Sequence, residues 1–266
     1  MFDRERTRHR FTAREATVSA VEPVGNYVRV TLTGPDFADF ASTGPTDHAR
    51  VFFPNPLTGE LLAPVADGQE GIVRPDGPTF GRDFTPLNVR DTDGSRSVDL
   101  DVLRHPDAGP AAAWAERAQV GDRLVVVGPR GSAAAPRDAE RALLVVDGTS
   151  LPAASRFLDD LPESTSVDVL AFGDLTADAA ESYLVSERDF AVFEAAGDLV
   201  TEARDLAPDA GTFVFAAGEA SALTPLRRYL RRELGLSAEQ VVMSGYWRAG
   251  VVAWDHHAPI DPYDPD

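Results

Sequence analysis

The segment Arg82-Asp83-Phe84-Thr85-Pro86 brings a guanidinium, an aromatic ring and a hydroxyl into one short run. On a strand, side chains alternate between faces, so Arg82 and Phe84 share a face while Thr85 points to the other or into a bulge. This set can hold a flavin nucleotide. Arg82 can form charge-assisted bonds to a pyrophosphate and Phe84 can pack on the ribityl chain or ring. The Thr85 hydroxyl can reach the flavin N5 edge, which makes Thr85 the candidate catalytic residue. Arginine beside an aromatic is also common on barrel strands that bind nothing, so the assignment needs support from elsewhere. One source is the run His105-Pro-Asp-Ala-Gly109-Pro110-Ala111-Ala-Ala-Trp114, which ends a strand and opens a helix. Gly109 permits close backbone approach, and free amides at the helix start suit the pyrophosphate of FAD. His105, Gly109, Pro110, Ala111 and Trp114 therefore join the cofactor-binding candidates. Gly128-Pro129-Arg130-Gly131-Ser132 adds Gly131 and Ser132, although such a loop taken singly reads equally as a tight turn.

A second kind of site follows the apolar run Ala142-Leu-Leu-Val-Val146, which has the pattern of a strand buried on both faces. The turn Asp147-Gly148-Thr149 comes next, and then a helix from Leu151 to Leu161 that Pro152 can begin. Asp147 and Thr149 are thereby placed at the carboxyl edge of a parallel sheet, where open α/β folds bind ligands. The G-x-G-x-x-G dinucleotide fingerprint is absent, and Asp147 reads equally as a loop residue that closes the strand.

The elements that position these residues fall into two groups. Strand candidates Thr17–Val21, Tyr27–Thr33, Arg50–Phe53, Asp83–Val89, Val98–Leu103 and Arg123–Val127 alternate with turn residues, and one short helix covers Ala111–Arg117. Pro23-Val24-Gly25-Asn26 punctuates a hairpin, and the loop from Asn55 to Gly81 is long enough to lie over a ligand. After Ala133–Asp138, a linker, buried strands are expected at Val167–Phe172, Phe190–Glu194 and Thr212–Ala217, with a helix at Leu223–Leu234. The acidic tail after Ile260 reads as disordered. The fold expected is a β-barrel plus α/β: a Greek-key FAD-binding barrel over residues 1–137, then a parallel-sheet NAD(P)H-binding domain over residues 138–266.

Composition narrows the chemistry. The chain has 266 residues, enough for two cores, and no cysteine, which excludes disulfides, thiolate metal sites and iron-sulfur clusters. Redox work therefore needs a borrowed cofactor. All 25 basic side chains are arginine, so Schiff-base lysine chemistry is excluded too. A formal charge of -18 repels nucleic acid and leaves only local basic clusters to attract small anions. No apolar run approaches the roughly 20 residues that span a bilayer, and the first residues lack a secretory signal, so a cytoplasmic protein without membrane insertion is expected. The five histidines show no ligand spacing, so no metal site is expected.

Taken in order, these motifs resemble the siderophore-interacting protein family of the ferredoxin-reductase superfamily, from about Phe11 to Gly250. The resemblance rests on Arg82-x-Phe-Thr85, His105 through Trp114, Gly128-Pro-Arg-Gly131, Asp147-Gly-Thr149-Ser-Leu-Pro152-Ala153, Ala217-Gly218-Glu219 and Tyr246-Trp247-Arg248-Ala-Gly250. It implies an FAD-dependent ferric-siderophore reductase that uses NADPH or NADH, with ferredoxin open as another donor; a monomer is expected, although the sequence does not fix the oligomeric state. It implies further that Asp147, Thr149, Gly218 and Glu219 lie near the nicotinamide cofactor, and that Trp247 caps the flavin or stacks on the siderophore. Arg50, Arg130 and Arg248 match the three basic side chains that family members place near the flavin, and so become the substrate-binding candidates. Three positions depart from the family pattern: Phe84 stands for tyrosine, Leu87 for arginine and Gly148 for glutamate. Two other readings stay open, a general NAD(P)H:flavin or ferredoxin-type reductase and a flavin-free iron-siderophore binding protein.

Overall fold

Valine, leucine and threonine on alternate positions build the first half of the molecule from strands. The computed structural model describes residues 2–92, 95–105 and 109–264. It divides into two compact units, Arg6–Ala134 and a second made of Met1–Glu5 with Ala135–Asp266.

In the first unit the strands are β1 (Arg6–Arg8), β2 (Ala13–Val24), β3 (Tyr27–Thr33), β4 (Ala49–Phe53), β5 (Val65–Ala66), β6 (Ile72–Val73), β7 (Phe80–Phe84), β8 (Leu87–Thr92), β9 (Ser95–Leu103), β10 (Arg123–Val127) and β11 (Gly131–Ala133). One helix, α1 (Pro110–Ala115), follows β9. Seven strands form one antiparallel sheet in the order β7-β4-β10-β2-β3-β9-β8. Its two outermost strands, β7 and β8, are neighbours in the chain, separated only by Thr85-Pro86. Fully extended, that link spans on the order of 10 Å, so the sheet must curl until its edges meet. The result is a barrel closed by a covalent seam with no hydrogen-bond ladder between β7 and β8. The single strand expected over Asp83–Val89 is therefore two strands, broken where Pro86 lacks a donor. The long Asn55–Gly81 loop contains the small β5/β6 ladder and the start of β7. Phe37, Phe40, Phe53, Trp114 and the inward valines of β2, β3 and β9 fill the barrel.

Polar side chains fasten the strand beyond the seam. Asp99 on β9 is buried and accepts bonds from Thr31 Oγ1 (2.7 Å), Asn88 Nδ2 (2.9 Å) and both terminal nitrogens of Arg90 (2.8 and 3.0 Å). Asn88 adopts a positive φ of 47° where the β8–β9 register shifts, a conformation that asparagine tolerates. Burial raises the Asp99 pKa, but the bonds from Arg90, Asn88 and Thr31 outweigh it and hold the group below its ordinary value.

The second unit alternates strands and helices: β12 (Arg141–Val146), α2 (Leu151–Asp160), β13 (Ser166–Ala171), α3 (Ala177–Tyr183), β14 (Ala191–Glu194), α4 (Leu199–Asp205), β15 (Thr212–Glu219), α5 (Ala220–Arg228) and β16 (Val241–Trp247). All five strands are parallel, in the order β14-β13-β12-β15-β16. The order reverses at β12/β15, which makes their carboxyl ends the topological switch point. Three expectations are corrected here. The strand expected as buried at Phe190–Glu194 is β14, an edge strand with an exposed face. The helix expected over Leu223–Leu234 starts earlier, at Ala220, and ends in a π turn, Tyr229–Glu233. In the tail expected to be disordered, the described residues 261–264 bury Asp261, which accepts from Arg228 Nε at 2.6 Å, and pair Asp264 with Arg227 and Arg232. Residues 2–5 pack with this unit as well: the Phe2 amide donates to both Asp138 carboxylate oxygens at 3.0 Å, and its ring lies 6.4 Å from that of Phe213. Among the described residues no helix is long and apolar enough to cross a membrane.

Asp99→Asn is expected to lower barrel stability by about 2 kcal/mol, because it loses charge-assisted bonds and turns an amide toward donors. The folded pKa of Asp99 is depressed, so its contribution is present above the unfolded value of about 3.9 and lost as pH falls through the folded value. Denaturant melts should show the gap between wild type and variant wide at pH 7 and narrowing below about pH 4.

Candidate functional site

The barrel seam gathers the first group of candidate residues. Arg82 and Phe84 lie on β7, and Thr85 follows directly in the link to β8. Phe84 is half-buried, with its ring edge-on to Phe53 at 5.9 Å, and Phe53 in turn meets Trp114 of α1 at 5.2 Å. Trp114 and Ala111 thus serve the barrel core. The Arg82 guanidinium makes one hydrogen bond, from Nη1 to the Gly81 carbonyl at 2.8 Å, and no ion pair among the described residues. Burial, then the neighbouring Arg50 guanidinium, push its pKa down against the pull of Asp83. A guanidinium stays charged regardless. The Thr85 side chain is buried, and no protein group among the described residues hydrogen-bonds its hydroxyl. The outer edges of β7 and β8 have no ladder partner. A guanidinium with no ion pair among the described residues and a hydroxyl with no hydrogen-bond partner among them fit a flavin nucleotide.

Other expected barrel residues are placed as follows. Gly109 caps α1, Pro110 takes its first position, and a Cβ added at Gly109 would meet open space. His105 is exposed beyond β9, whereas Pro106–Ala108 of the expected phosphate loop lie outside the described residues. Gly131 has a structural reason to be glycine: a Cβ there would lie 2.6 Å from the Thr7 carbonyl across the β1/β11 pair. The Ser132 hydroxyl, on β11, is engaged by protein groups, donating to Asp47 at 2.5 Å, accepting from the Thr43 amide at 3.0 Å and lying 2.6 Å from His9 Nε2. Arg50 stands directly opposite Asp83 in the β4/β7 ladder and donates to it at 2.8 Å. Arg130 is exposed and forms no ion pair among the described residues; its guanidinium carbon sits 3.8 Å above the Phe11 ring, a cation–π contact.

At the carboxyl edge of the parallel sheet, Asp147, Thr149, Gly218, Glu219 and Trp247 come together. Asp147 is buried, and its carboxylate accepts four bonds. Oδ1 takes the Thr149 amide (2.8 Å) and hydroxyl (2.6 Å), while Oδ2 takes the Glu219 amide (3.0 Å) and Trp247 Nε1 (2.8 Å). One side chain therefore ties the ends of β12, β15 and β16. Burial pushes the Asp147 pKa above its ordinary value although all four donors oppose it. Beneath it, the fully buried Ser150 donates to the Ala217 carbonyl at 2.7 Å and stitches β12 to β15 again. Gly218 has φ +143°, and a Cβ there would lie 2.4 Å from Asp147 Oδ2, so only glycine leaves room for the carboxylate. Glu219 caps α5 by accepting the Ala222 amide at 2.7 Å. Arg248, just past β16, is exposed, with its guanidinium carbon 5.3 Å from the Trp254 ring.

Sequence reasoning missed Phe11, Ser150 and Trp254. Ser150 was open to it, as a serine opening a helix after a strand; Phe11 and Trp254 carry no local signal.

Two family models match the chain: the siderophore-interacting FAD-binding domain over residues 16–133 and the siderophore-interacting protein over residues 139–250. An NADPH-dependent ferric-chelate reductase of Escherichia coli K12 is 32% identical over 252 residues, covering 92% of this chain and 96% of that one. Ferric vibriobactin reductase ViuB of Vibrio cholerae is 27% identical over 236 residues, 85% of each chain. A siderophore utilization protein from T. fusca superposes with a TM-score of 0.80 at 34% identity, over 96% of this chain and 100% of that one.

Gly218→Ala is expected to destabilise the second unit by about 2 kcal/mol or more, since it combines a disfavoured φ with a clash against a buried carboxylate. Thermal melts would record the loss, together with a change in tryptophan emission as Trp247 loses its hydrogen bond. An unchanged melting temperature would refute the close packing around Asp147.

Proposed function

Because the chain belongs to the siderophore-interacting protein family, we propose that it is an oxidoreductase that uses FAD and NAD(P)H to reduce the Fe(III) of a ferric siderophore. The observation that carries this reading is the state of Arg82, a half-buried guanidinium at the barrel seam with one neutral hydrogen-bond partner. Its remaining donors suit the FAD pyrophosphate. Thr85 offers its unbonded hydroxyl to the flavin edge, Phe84 an aromatic face, and Gly109 an open approach at the start of α1. FAD, when bound, supplies the change from a two-electron donor to the one-electron steps that ferric iron requires. Thr149 and the Gly218-Glu219 turn border the switch-point crevice, where folds of this kind take their nucleotide.

Siderophore complexes of ferric iron are commonly anionic, and a chain at -18 repels them except where cations stand unneutralised. Arg130 and Arg248 meet that condition, each held against an aromatic ring and free of carboxylates among the described residues. Arg50 is matched by Asp83 and contributes less net charge. Ferric iron prefers hard anionic oxygens more strongly than ferrous iron does, so reduction loosens the complex and releases the metal. A cytoplasmic setting follows from the donor, since reduced nicotinamide nucleotides are held inside the cell.

The purified protein, supplied with FAD, should show flavin absorption that bleaches on anaerobic addition of NADPH or NADH and returns when a ferric catecholate is added. Failure to bind FAD at any concentration would sink the reading and favour a flavin-free binding protein. Arg82→Gln should weaken FAD binding by about tenfold or more, because a charge-assisted contact is lost, with little change in melting temperature.

A further inference from the structure

We infer that Asp147 and Glu219 are positioning residues for Arg248, holding the chain on both sides of it without neutralising its charge. The inference rests on the reading above, in which Arg248 meets the ferric siderophore. Trp247, immediately before Arg248, donates its indole N–H to Asp147 Oδ2 at 2.8 Å. Ala249, immediately after, donates its amide to Glu219 Oε1 at 3.1 Å. Two carboxylates at the switch point, one beyond β12 and one ending β15, thus bracket a single arginine.

The local chain completes the clamp. The Val251 amide donates to the Arg248 carbonyl at 3.0 Å, closing a turn in which Gly250 takes a positive φ of 76°. Trp254, the ring beside the guanidinium, is fixed by its own bond from Nε1 to the Gly245 carbonyl at 2.9 Å. Backbone and stacking platform are therefore set, while the guanidinium has no ion pair among the described residues. In the same unit Arg137, Arg141, Arg204, Arg227, Arg228 and Arg232 are all paired with acids.

Both nearby carboxylates are occupied by N–H and O–H donors. Asp147 accepts four bonds, and Glu219 accepts the Ala222 and Ala249 amides. Held by these donors, neither forms an ion pair with the arginine among the described residues. An exposed arginine ordinarily loses side-chain and loop freedom on binding, and fixing its flanks beforehand reduces that loss.

The test uses the full-length protein and a gallium(III) tris-catecholate complex, a redox-silent stand-in for the ferric one, with affinity read by calorimetry. Trp247→Phe and Glu219→Gln should each weaken binding by roughly three- to tenfold, and Arg248→Ala by about tenfold or more, a factor of ten being about 1.4 kcal/mol. Combined with Arg248→Ala, neither of the first two should weaken binding further, because both act through that side chain. Wild-type affinity in both Trp247→Phe and Glu219→Gln overturns the inference, as does a loss that persists undiminished beside Arg248→Ala, the mark of general loosening. Should the wild-type protein fail to bind the complex at all, the siderophore reading itself falls and this inference with it.

Discussion

A seven-stranded sheet whose outermost strands are joined by only Thr85 and Pro86 has no choice but to roll up. That constraint governs the first unit. It brings the end of β7 to the start of β8, and it leaves the outer edges of these two strands without a ladder. Elsewhere an unpaired sheet edge invites aggregation and is usually covered or charged. Here it coincides with the candidate residues Arg82, Phe84 and Thr85, at the end of β7 and in the link to β8. The short link carries the proline because a residue with no N–H is tolerated where the ladder stops.

The second unit solves a different problem, that of holding three strand ends in register without a ladder beyond them. Asp147 does so with a carboxylate that faces only donors, and Gly218 makes the space for it. A buried acid of this sort is sensitive to its surroundings. Its four bonds favour the ionised form while the loss of water disfavours it, and desolvation has the larger effect. The four donors together link the turn after β12, the start of α5 and the end of β16 into one unit of local order.

How far this could be read from the residues depends on whether the cause was local. Tyr27–Thr33 and Arg123–Val127 were legible to the residue, because β-branched side chains and flanking turn signals are properties of the segment itself. The continuous apolar run of β12 likewise marked a central parallel strand. The edge position of β14 was not legible, since strand order is settled by packing between elements. Asp83–Val89 concealed the seam because residues on both sides of Pro86 favour strands. Among the candidate site residues, Arg82, Thr85 and Asp147 could be named from type and order alone. Pairing could not: the partner of Arg50 lies across a ladder, and the indole on Asp147 comes 100 positions later in the chain.

The docking of Phe2 has a consequence for synthesis. Its amide is held by Asp138 and its ring lies against Phe213, so residues 2–5 emerge from the ribosome long before anything exists for them to hold. The barrel, drawn from one uninterrupted stretch, can complete itself first, as amino-terminal domains generally do. Throughout that interval residues 2–5 are without these partners, which are complete only when β15 has been translated.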